Sequence, residues 1–384
     1  MTVHFSNEEL AARRRVVAAE LANRGLDGLL MFRQESMYYL TGYDTFGYVF
    51  FQCLYMSADG ETMTLLTRLP DLRQAKFTSV IRDIRVWLNR EEANPAEELK
   101  KILEEHSCRG KRLGIETDAY GLTGFNYKLV EAAMDGFCEL VEASDIVTRK
   151  RAVKSPAEIE YIREAARLAD VAFERAVEKA GPGVFEGDVL AALQGAIYEG
   201  GGDPPGNEVI IGSGPRALLV RYAAGMRHMD PVDQLNLEWA GVFRRYHAAM
   251  MRTIIVGEAS DYQKHAFSAV REGMEAMTEA LAPGRPIGEV DDAHRRVLDP
   301  AGFEQHRLAA VGYSMGTTFQ PNWMDWPMLF SGNSVLAEPG NVFFLHCIVV
   351  DSDREVAMSL GRSCLVTETG REVLSKQPLE LPLV

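Results

Sequence analysis

The sequence predicts a two-domain α/β (α+β) protein, with a small N-terminal α/β domain over residues 1–150 and a larger helix-and-sheet domain over residues 151–384. Three observations lead to this prediction. The 384 residues are 47% apolar and 9% aromatic, which is enough for two hydrophobic cores. Helical and extended patterns alternate up to about residue 146. Beyond residue 155, a helix-helix-sheet pattern occurs twice.

The first domain begins with an amphipathic helix over residues 9–25, followed by the apolar run LDGLLMF, which is typical of a buried strand. The stretch FQCLYMSADGETMTLLT predicts a β-hairpin that turns at Asp59-Gly60. The stretch PAEELKKILEEH predicts a further helix. This alternation indicates a small α/β domain.

The second domain begins with a helix that Ser155 can cap, with Pro156 in its first turn and Glu158 closing a capping box. Helices over about residues 156–180 and 185–199 precede the strands EVIIGSG, QLNLEWAGVF and AMMRTIIVG. Helices over about 260–282 and 287–299 precede HRLAAVGYSMG, NVFFLHCIVVD and RSCLVTETG. Such a duplication predicts a curved antiparallel sheet flanked by paired helices, with a pocket where the halves meet.

Composition narrows the classes of partner. Fifty-five acidic and 41 basic side chains give a net charge of −14, which opposes binding to nucleic acid or to an anionic membrane surface. The chain has no apolar run of about 18 residues, and MTVHFSNEELAARRR lacks the apolar centre of a signal peptide, so we expect a cytoplasmic protein. Five scattered cysteines predict neither a disulfide framework nor a zinc site.

Six stretches carry a resemblance to a known family: MYYLTGYDTF, RKRAVKSPAEIEYIREAA, GSGPRALLVR, LNLEWAGVFRRYHAAMMRT, GYSMG and LVTETG. Together they resemble the creatinase and Xaa-Pro aminopeptidase superfamily over essentially the whole chain. The resemblance implies that the second domain has the "pita-bread" fold, with an internal pseudo-twofold duplication. It also implies a homodimer in which the first domain of one chain approaches the pocket of the other.

Metal-dependent members of the superfamily hold two divalent ions with two aspartates, one histidine and two glutamates. Alignment on the surrounding motifs places other residues at these five ligand positions, namely Glu238, Ala249, Tyr313, His346 and Gly361. Alanine and glycine offer no side-chain ligand, and neutral tyrosine is a poor one. We therefore expect neither a metal pair nor any other cofactor. A single ion on Glu238 and His346 is the alternative, but it lacks a third ligand.

Metal-free members of the creatinase and ectoine hydrolase types are the nearer resemblance. Ectoine hydrolases combine a glutamate at the first ligand position with an R-Y-H triplet, a G-Y-S-[IM]-G turn and a nearby Pro-x-Trp. This chain has Glu238, the triplet that ends at His247, GYSMG, and the PNW that ends at Trp323. The resemblance implies hydrolysis of a non-peptide C–N bond without a metal.

Glu238, Tyr313, His346 and His247 are the candidate catalytic residues. A buried carboxylate can hold a cationic amidine carbon and either attack it or activate water, so Glu238 suits both roles. Tyr313 or His346 would support the leaving nitrogen. The alternatives are a polar strand position for Glu238, satisfied core hydrogen bonds for Tyr313 and His346, and packing against the outer helices for His247.

Six further residues are candidates for substrate binding: Arg221, Arg362, Gln320, Trp323, Trp239 and Tyr43. Arg221 stands where both metal-free relatives carry a substrate-contacting histidine, and Arg362 lies near the last ligand position. Each arginine could bind a substrate carboxylate bidentately or form a structural salt bridge. The tryptophans could stack on a delocalised cation or pack in the core. Tyr43, together with Phe46, could cover the partner's pocket or belong to the hydrophobic core.

The sequence therefore predicts a metal-independent hydrolase that acts on a C–N bond of a small cyclic amidine, amidino or ureido compound. Ectoine hydrolase is the best-matching activity, although the two arginines depart from it and favour a substrate with an anionic end. The expected partner is a small-molecule substrate. Three alternatives stay open: a creatinase-like amidinohydrolase, an Xaa-Pro metallopeptidase-like enzyme, and a pseudoenzyme that binds without catalysis.

Overall fold

The computed structural model describes residues 3–221 and 227–384. The chain divides into two compact units, Met1–Arg151 and Ala152–Val384. Among the described residues, no helix combines the length and the apolar character needed to cross a bilayer.

The first unit is built on a six-stranded mixed sheet. Its strands are β1 (Gly28–Met31), β2 (Cys53–Ser57), β3 (Met63–Arg68), β4 (Asp83–Trp87), β5 (Arg112–Ile115) and β6 (Glu139–Glu142), in the order β4-β3-β2-β1-β5-β6. Its helices are α1 (Asn7–Asn23), α2 (Gln34–Thr41), α3 (Asp71–Thr78), α4 (Pro95–Glu105), α5 (Gly124–Met134) and α6 (Asp145–Ala152).

Strand β1 is buried on both faces, as its apolar run predicted. Leu30 packs into one hydrophobic cluster of this unit, whereas Leu29 and Met31 pack into another, because successive side chains point to opposite faces of a sheet. The hairpin predicted at Asp59-Gly60 joins β2 to β3. The α/β character predicted for this part of the chain is confirmed.

The second unit begins with α7, and the predicted capping box is present: the Ser155 hydroxyl accepts from the backbone of Glu158, whose carboxylate accepts from the backbone of Ser155. Its helices are α7 (Pro156–Lys179), α8 (Glu186–Glu199), α9 (Asp261–Ala280) and α10 (Gly288–Leu298). Its strands are β7 (Ile210–Ser213), β8 (Asp233–Phe243), β9 (Tyr246–Val256), β10 (Gly312–Ser314), β11 (Asp325–Leu329), β12 (Val342–Asp351), β13 (Val356–Thr367) and β14 (Gly370–Val373).

The sheet of this unit has the strand order β11-β10-β12-β13-β9-β8-β7, with β14 pairing with β13. One half follows the helix pair α7–α8 and contributes β7, β8 and β9. The other half follows α9–α10 and contributes β10, β12 and β13, so the halves meet at the β9–β13 pair. This repeated order and the curled antiparallel half-barrel confirm the predicted pita-bread fold.

The two faces of this sheet have different roles. On one face, Leu237 and Trp239 of β8 pack in the cluster that includes α7 and α8, and Leu360 and Cys364 of β13 pack in the cluster that includes α9 and α10. The intervening residues point to the opposite face, because side chains alternate along a strand. This second face, which includes Glu238, is called the inner face below.

Candidate active site

Glu238 is a carboxylate held on the inner face of β8. It pairs with Ile210 of β7 on one side and with Met251 of β9 on the other, and only 8% of it is exposed. Burial raises the pKa of Glu238 to about 7, while a hydrogen bond from Tyr313 and the charge of Arg221 act in the opposite direction. A carboxylate that titrates near neutral pH is suited to accept a proton in a reaction.

Tyr313 connects Glu238 to Trp323. The Tyr313 hydroxyl donates to Glu238 Oε1 at 3.3 Å and accepts from Trp323 Nε1 at 2.8 Å. Burial raises the pKa of Tyr313 well above its ordinary value, so the phenol stays protonated at neutral pH. Gly312 lets β10 approach β12 this closely, because a Cβ at this position would lie 2.1 Å from the carbonyl oxygen of Phe344.

His346 lies beside Tyr313 on β12. Its ring centroid is 5.9 Å from that of Tyr313 and 5.6 Å from that of Phe344. Desolvation is the main cause that lowers the pKa of His346 to about 4, and the charge of Arg221 acts in the same direction. His346 is therefore a neutral imidazole at pH 7, able to donate or accept a hydrogen bond but carrying no charge.

Gly361 and Ala249 occupy the positions that the resemblance aligns with two of the remaining ligands, and neither has a donor atom in its side chain. Gly361 lies opposite His346, and a Cβ there would meet the Phe344 ring at 2.6 Å, so this position has no room for a ligating side chain. Ala249 faces Ala240 across the β8–β9 ladder. In the part of the chain that the structure describes, no three His, Cys, Asp or Glu side chains are grouped so as to hold a metal ion. The donor set does not fit a metal pair.

His247 was predicted to be catalytic, but its side chain is buried and bonded to the protein backbone. It is fully buried; its Nε2 accepts from the backbone N–H of Gly206 at 2.8 Å, and its Nδ1 lies 3.0 Å from the carbonyl oxygen of Arg245. Burial lowers the pKa of His247 to about 4, so the ring is neutral with the proton assigned to Nδ1. This geometry assigns His247 to holding the backbone at Gly206, in place of the predicted catalytic role.

Two predicted substrate-binding residues lie on the helix-covered face of the sheet. Trp239 is fully buried, donates from Nε1 to the carbonyl oxygen of Ala169 at 3.1 Å, and stacks on Phe173. Arg362 donates from Nε to the Thr278 hydroxyl of α9 at 3.1 Å. The predictions that Trp239 and Arg362 contact the substrate are therefore corrected. Each residue directly follows an inner-face residue, Glu238 or Gly361, and successive side chains of a strand point to opposite faces.

Tyr43 is located in the core of the first unit. Its ring is fully buried within a hydrophobic cluster of that unit, and its hydroxyl donates to Gln52 Oε1 at 3.3 Å. Tyr43 thus belongs to the hydrophobic core, which was the alternative to its predicted role in covering a partner's pocket. Phe46 is 62% exposed and is the residue of the pair that is available to cover another surface.

A cavity of about 260 Å³ opens beside the strand that pairs with Glu238. The predicted binding residues Arg221 and Gln320 both line it. The complete lining consists of Gly206, Asn207, Glu208, Ile210, Arg221, Gln320 and Pro321. Asn207 and Glu208 were not among the predicted site residues, because neither lies at a position that the resemblance marks as functional. Their only signal is their position just before Ile210, the residue that pairs with Glu238.

The pita-bread sheet thus carries a buried carboxylate, a phenol and an imidazole on its inner face, and a small cavity opens at β7. The chain belongs to metallopeptidase family M24, whose model matches residues 160–368. Residues 13–153 match the creatinase/prolidase N-terminal domain. The protein is thus a hydrolase of this family, as the resemblance implied.

Several characterised and uncharacterised proteins are similar over nearly the full length. Ectoine hydrolase of Halomonas elongata is 27% identical over 399 residues, covering 99% of this chain and 98% of the relative. An uncharacterized hydrolase/peptidase of Sinorhizobium fredii is 28% identical over 390 residues, with the same coverage. Xaa-Pro dipeptidase of Pyrococcus furiosus is 23% identical over 359 residues, covering 93% of this chain and 95% of the relative.

Solved structures show the same fold. The Xaa-Pro dipeptidase from Bacillus anthracis has a TM-score of 0.85 at 23% sequence identity, covering 98% of this chain and 100% of that one. Since relatives include both an ectoine hydrolase and peptidases, similarity alone does not choose the substrate.

Proposed function

We propose that this protein is a metal-independent hydrolase of a C–N bond in a small cyclic amidine, amidino or ureido compound, with ectoine hydrolase as the nearest named activity. The observation that carries the proposal is the hydrogen-bonded chain from Trp323 through Tyr313 to Glu238. Glu238 and Tyr313 stand at positions where metal-dependent relatives carry ligands, whereas the positions of Ala249 and Gly361 supply no donor.

Glu238 is the residue that would act on the reacting carbon. An amidinium group is cationic, so its approach favours the ionised form of this buried carboxylate, whose pKa of about 7 leaves it partly protonated otherwise. The carboxylate then takes a proton from water while the water oxygen bonds to the carbon, or it bonds to that carbon itself. In the first version, the proton that Glu238 took from water passes to the departing nitrogen as the C–N bond breaks. In the second, the departing nitrogen takes a proton from water as the C–N bond breaks, and the resulting hydroxide then adds to the carbon of the covalent adduct and releases Glu238 as a carboxylate.

Tyr313 and His346 supply hydrogen bonds to this step. The Tyr313 hydroxyl stays protonated and orients Glu238, since its donated hydrogen bond stabilises the carboxylate. The neutral His346 ring can donate an N–H to the departing nitrogen, which needs a donor as its bond to carbon lengthens. Neither group has to carry charge in order to serve these roles.

Arg221 supports a substrate with a carboxylate. It lines the cavity together with Ile210, and a guanidinium binds a carboxylate through two parallel N–H donors. The same charge lowers the pKa of Glu238. A bound carboxylate would partly offset that effect, which couples substrate binding to the protonation of Glu238.

The proposal is tested by a thermal-shift screen of ectoine, creatine, hydantoin-derived acids and guanidino acids, because a ligand that binds only the folded state raises the melting temperature. Each compound that binds is then incubated with the enzyme, and the hydrolysis product is measured by mass spectrometry. We expect at least one compound of this panel to bind and lose a C–N bond. Hydrolysis of an Xaa-Pro dipeptide, dependent on added divalent ions and without turnover of the panel, would contradict the proposal. Binding without turnover of any compound would favour a pseudoenzyme instead.

A further inference from the structure

The cavity beside Ile210, the β7 residue that pairs with Glu238, is lined by charges of both signs. Glu208 supplies a carboxylate and Arg221 a guanidinium, and the amide side chains of Asn207 and Gln320 also line it. At about 260 Å³, the cavity is slightly smaller than typical small-molecule sites, which span roughly 300–1,000 Å³. A compact ligand with two opposite charges matches both its size and its lining.

The two charged side chains are available to a ligand. Both Glu208 and Arg221 are exposed. Among the residues that the structure describes, neither forms an ion pair within 4.0 Å, either with each other or with another side chain. Many arginines of this chain form ion pairs with carboxylates at the surface, such as Arg24 with Asp145. Glu208 and Arg221 differ from these residues in having no such ion pair among the described residues.

The backbone around Glu208 is held in place from inside the unit. His247 Nε2 accepts from the N–H of Gly206, two residues before Glu208. Ile210, two residues after it, is fixed in the sheet by pairing with Glu238. The backbone of Glu208 thus lies between two anchored residues, so its position along the cavity wall is set by the fold of this unit.

We propose that Glu208 is a specificity-determining residue that binds the ammonium group of an amino-acid head, while Arg221 binds the carboxylate of the same head. The substrate is then an amino acid whose side chain ends in the amidine or ureido group, with its head in the cavity and its reactive end at Glu238. The assignment of the reactive end rests on the proposed function, whereas the assignment of the head rests on Glu208 and Arg221 alone.

Binding of three related probes tests the assignment of the head. L-arginine carries both head charges, agmatine lacks the carboxylate, and 5-guanidinopentanoate lacks the ammonium. Calorimetry on the full chain should show that each deletion weakens binding by about tenfold, the factor that corresponds to one charge-assisted hydrogen bond of about 1.4 kcal/mol. L-citrulline, which has a ureido end, repeats the comparison with an uncharged tail.

Variants assign each loss to one residue. In Glu208→Gln, L-arginine and 5-guanidinopentanoate should bind equally, while the preference over agmatine remains. In Arg221→Gln, L-arginine and agmatine should bind equally, while the preference over 5-guanidinopentanoate remains. Glu258→Gln and Arg271→Lys, which change exposed residues outside the cavity lining, should behave like the unmodified protein.

The outcomes separate this inference from the proposed function. Equal binding of all three probes, an unchanged pattern in Glu208→Gln, or no binding of either amino acid at millimolar concentration would overturn the role of Glu208. The predicted pattern without any C–N hydrolysis would leave the head assignment intact and contradict the proposed reaction. Hydrolysis of a compound without an ammonium group, unaffected by Glu208→Gln, would support the reaction and overturn the head assignment.

Discussion

The hydroxyl of Tyr313 donates a hydrogen bond to Glu238 Oε1 at 3.3 Å, from a β10 residue to the inner face of β8. The two strands belong to different halves of the sheet. The contact therefore links the halves at the carboxylate, and it lowers the pKa of Glu238 against the larger effect of burial.

Replacing Tyr313 with Phe should shift the pH dependence of catalysis. The change removes a donor that stabilises the carboxylate, so the pKa of Glu238 should rise above about 7, and the acidic limb of kcat/KM should move to higher pH. The pH–rate profile of the variant measures this shift. Tyr198→Phe, at an exposed position of α8, is the matched control and should keep the original profile. An unmoved limb in Tyr313→Phe would show that the hydrogen bond does not tune Glu238.

Replacing Arg221 with Lys should weaken substrate binding more than turnover. Lysine keeps the positive charge but loses the two-donor geometry, so KM should rise about tenfold while kcat changes less. Steady-state kinetics on a carboxylate-bearing substrate measures both constants. Arg271→Lys, on the exposed side of α9, should leave KM as it was. If Arg221→Lys also kept its KM, Arg221 would not be the carboxylate anchor.

Chelation should leave the enzyme active. Ala249 provides no ligand, and the space at Gly361 is filled by the Phe344 ring, so the site lacks the donors that a metal pair requires. Activity after incubation with EDTA or 1,10-phenanthroline, compared with an untreated sample, checks this expectation. Loss of activity that a divalent ion restores, together with a stoichiometric pair of ions in elemental analysis, would contradict it.

Replacing Glu238 with Gln should stabilise the protein at alkaline pH. A folded-state pKa of about 7, above the ordinary value of 4.5, means that the stabilising contribution of protonated Glu238 is complete below about pH 4.5 and is lost as pH rises through about 7. Glutamine does not titrate, so the gain in unfolding free energy should be small at pH 5 and reach up to about 3 kcal/mol at pH 8. Denaturant unfolding at both pH values measures it, with the exposed Glu258→Gln as control. A gain that is equal at pH 5 and pH 8 would show that Glu238 ionises normally.

The fold could be predicted from the sequence because helices and strands leave local, periodic patterns of apolar and capping residues. The capping box at Ser155 and Glu158 formed as predicted, and the repeated helix-helix-sheet order produced the two halves of the sheet. For the site, three residues that the family motifs single out, Glu238, Tyr313 and Trp323, are joined by hydrogen bonds. The family motifs identify these three residues because each motif occupies the same place in the shared fold.

Trp239 and Arg362 were assigned to the site by their closeness to ligand positions along the chain, without regard to the direction of their side chains. In strand β8 the run QLNLEW alternates polar and apolar residues, and this pattern places Trp239 with Leu237 on the face opposite Glu238. The prediction for Arg362 was wrong for the same reason, because Arg362 is adjacent to Gly361 on β13 and therefore points to the opposite face, where it donates to Thr278. The position of Glu208 depends on a contact between Gly206 and His247, which are 41 residues apart, and no local pattern records it.

Turnover by the Glu238→Gln variant tests the central claim most directly. Glutamine keeps the size of the side chain and a hydrogen-bonding partner for Tyr313, but removes the charge and the basicity. At saturating substrate and pH 8, with folding verified by the melting temperature, the account predicts a loss of at least about a hundredfold in kcat, since this is the range of a general base, while substrate still binds. A kcat within a few-fold of the unmodified enzyme would contradict the claim that the carboxylate of Glu238 carries out the reaction.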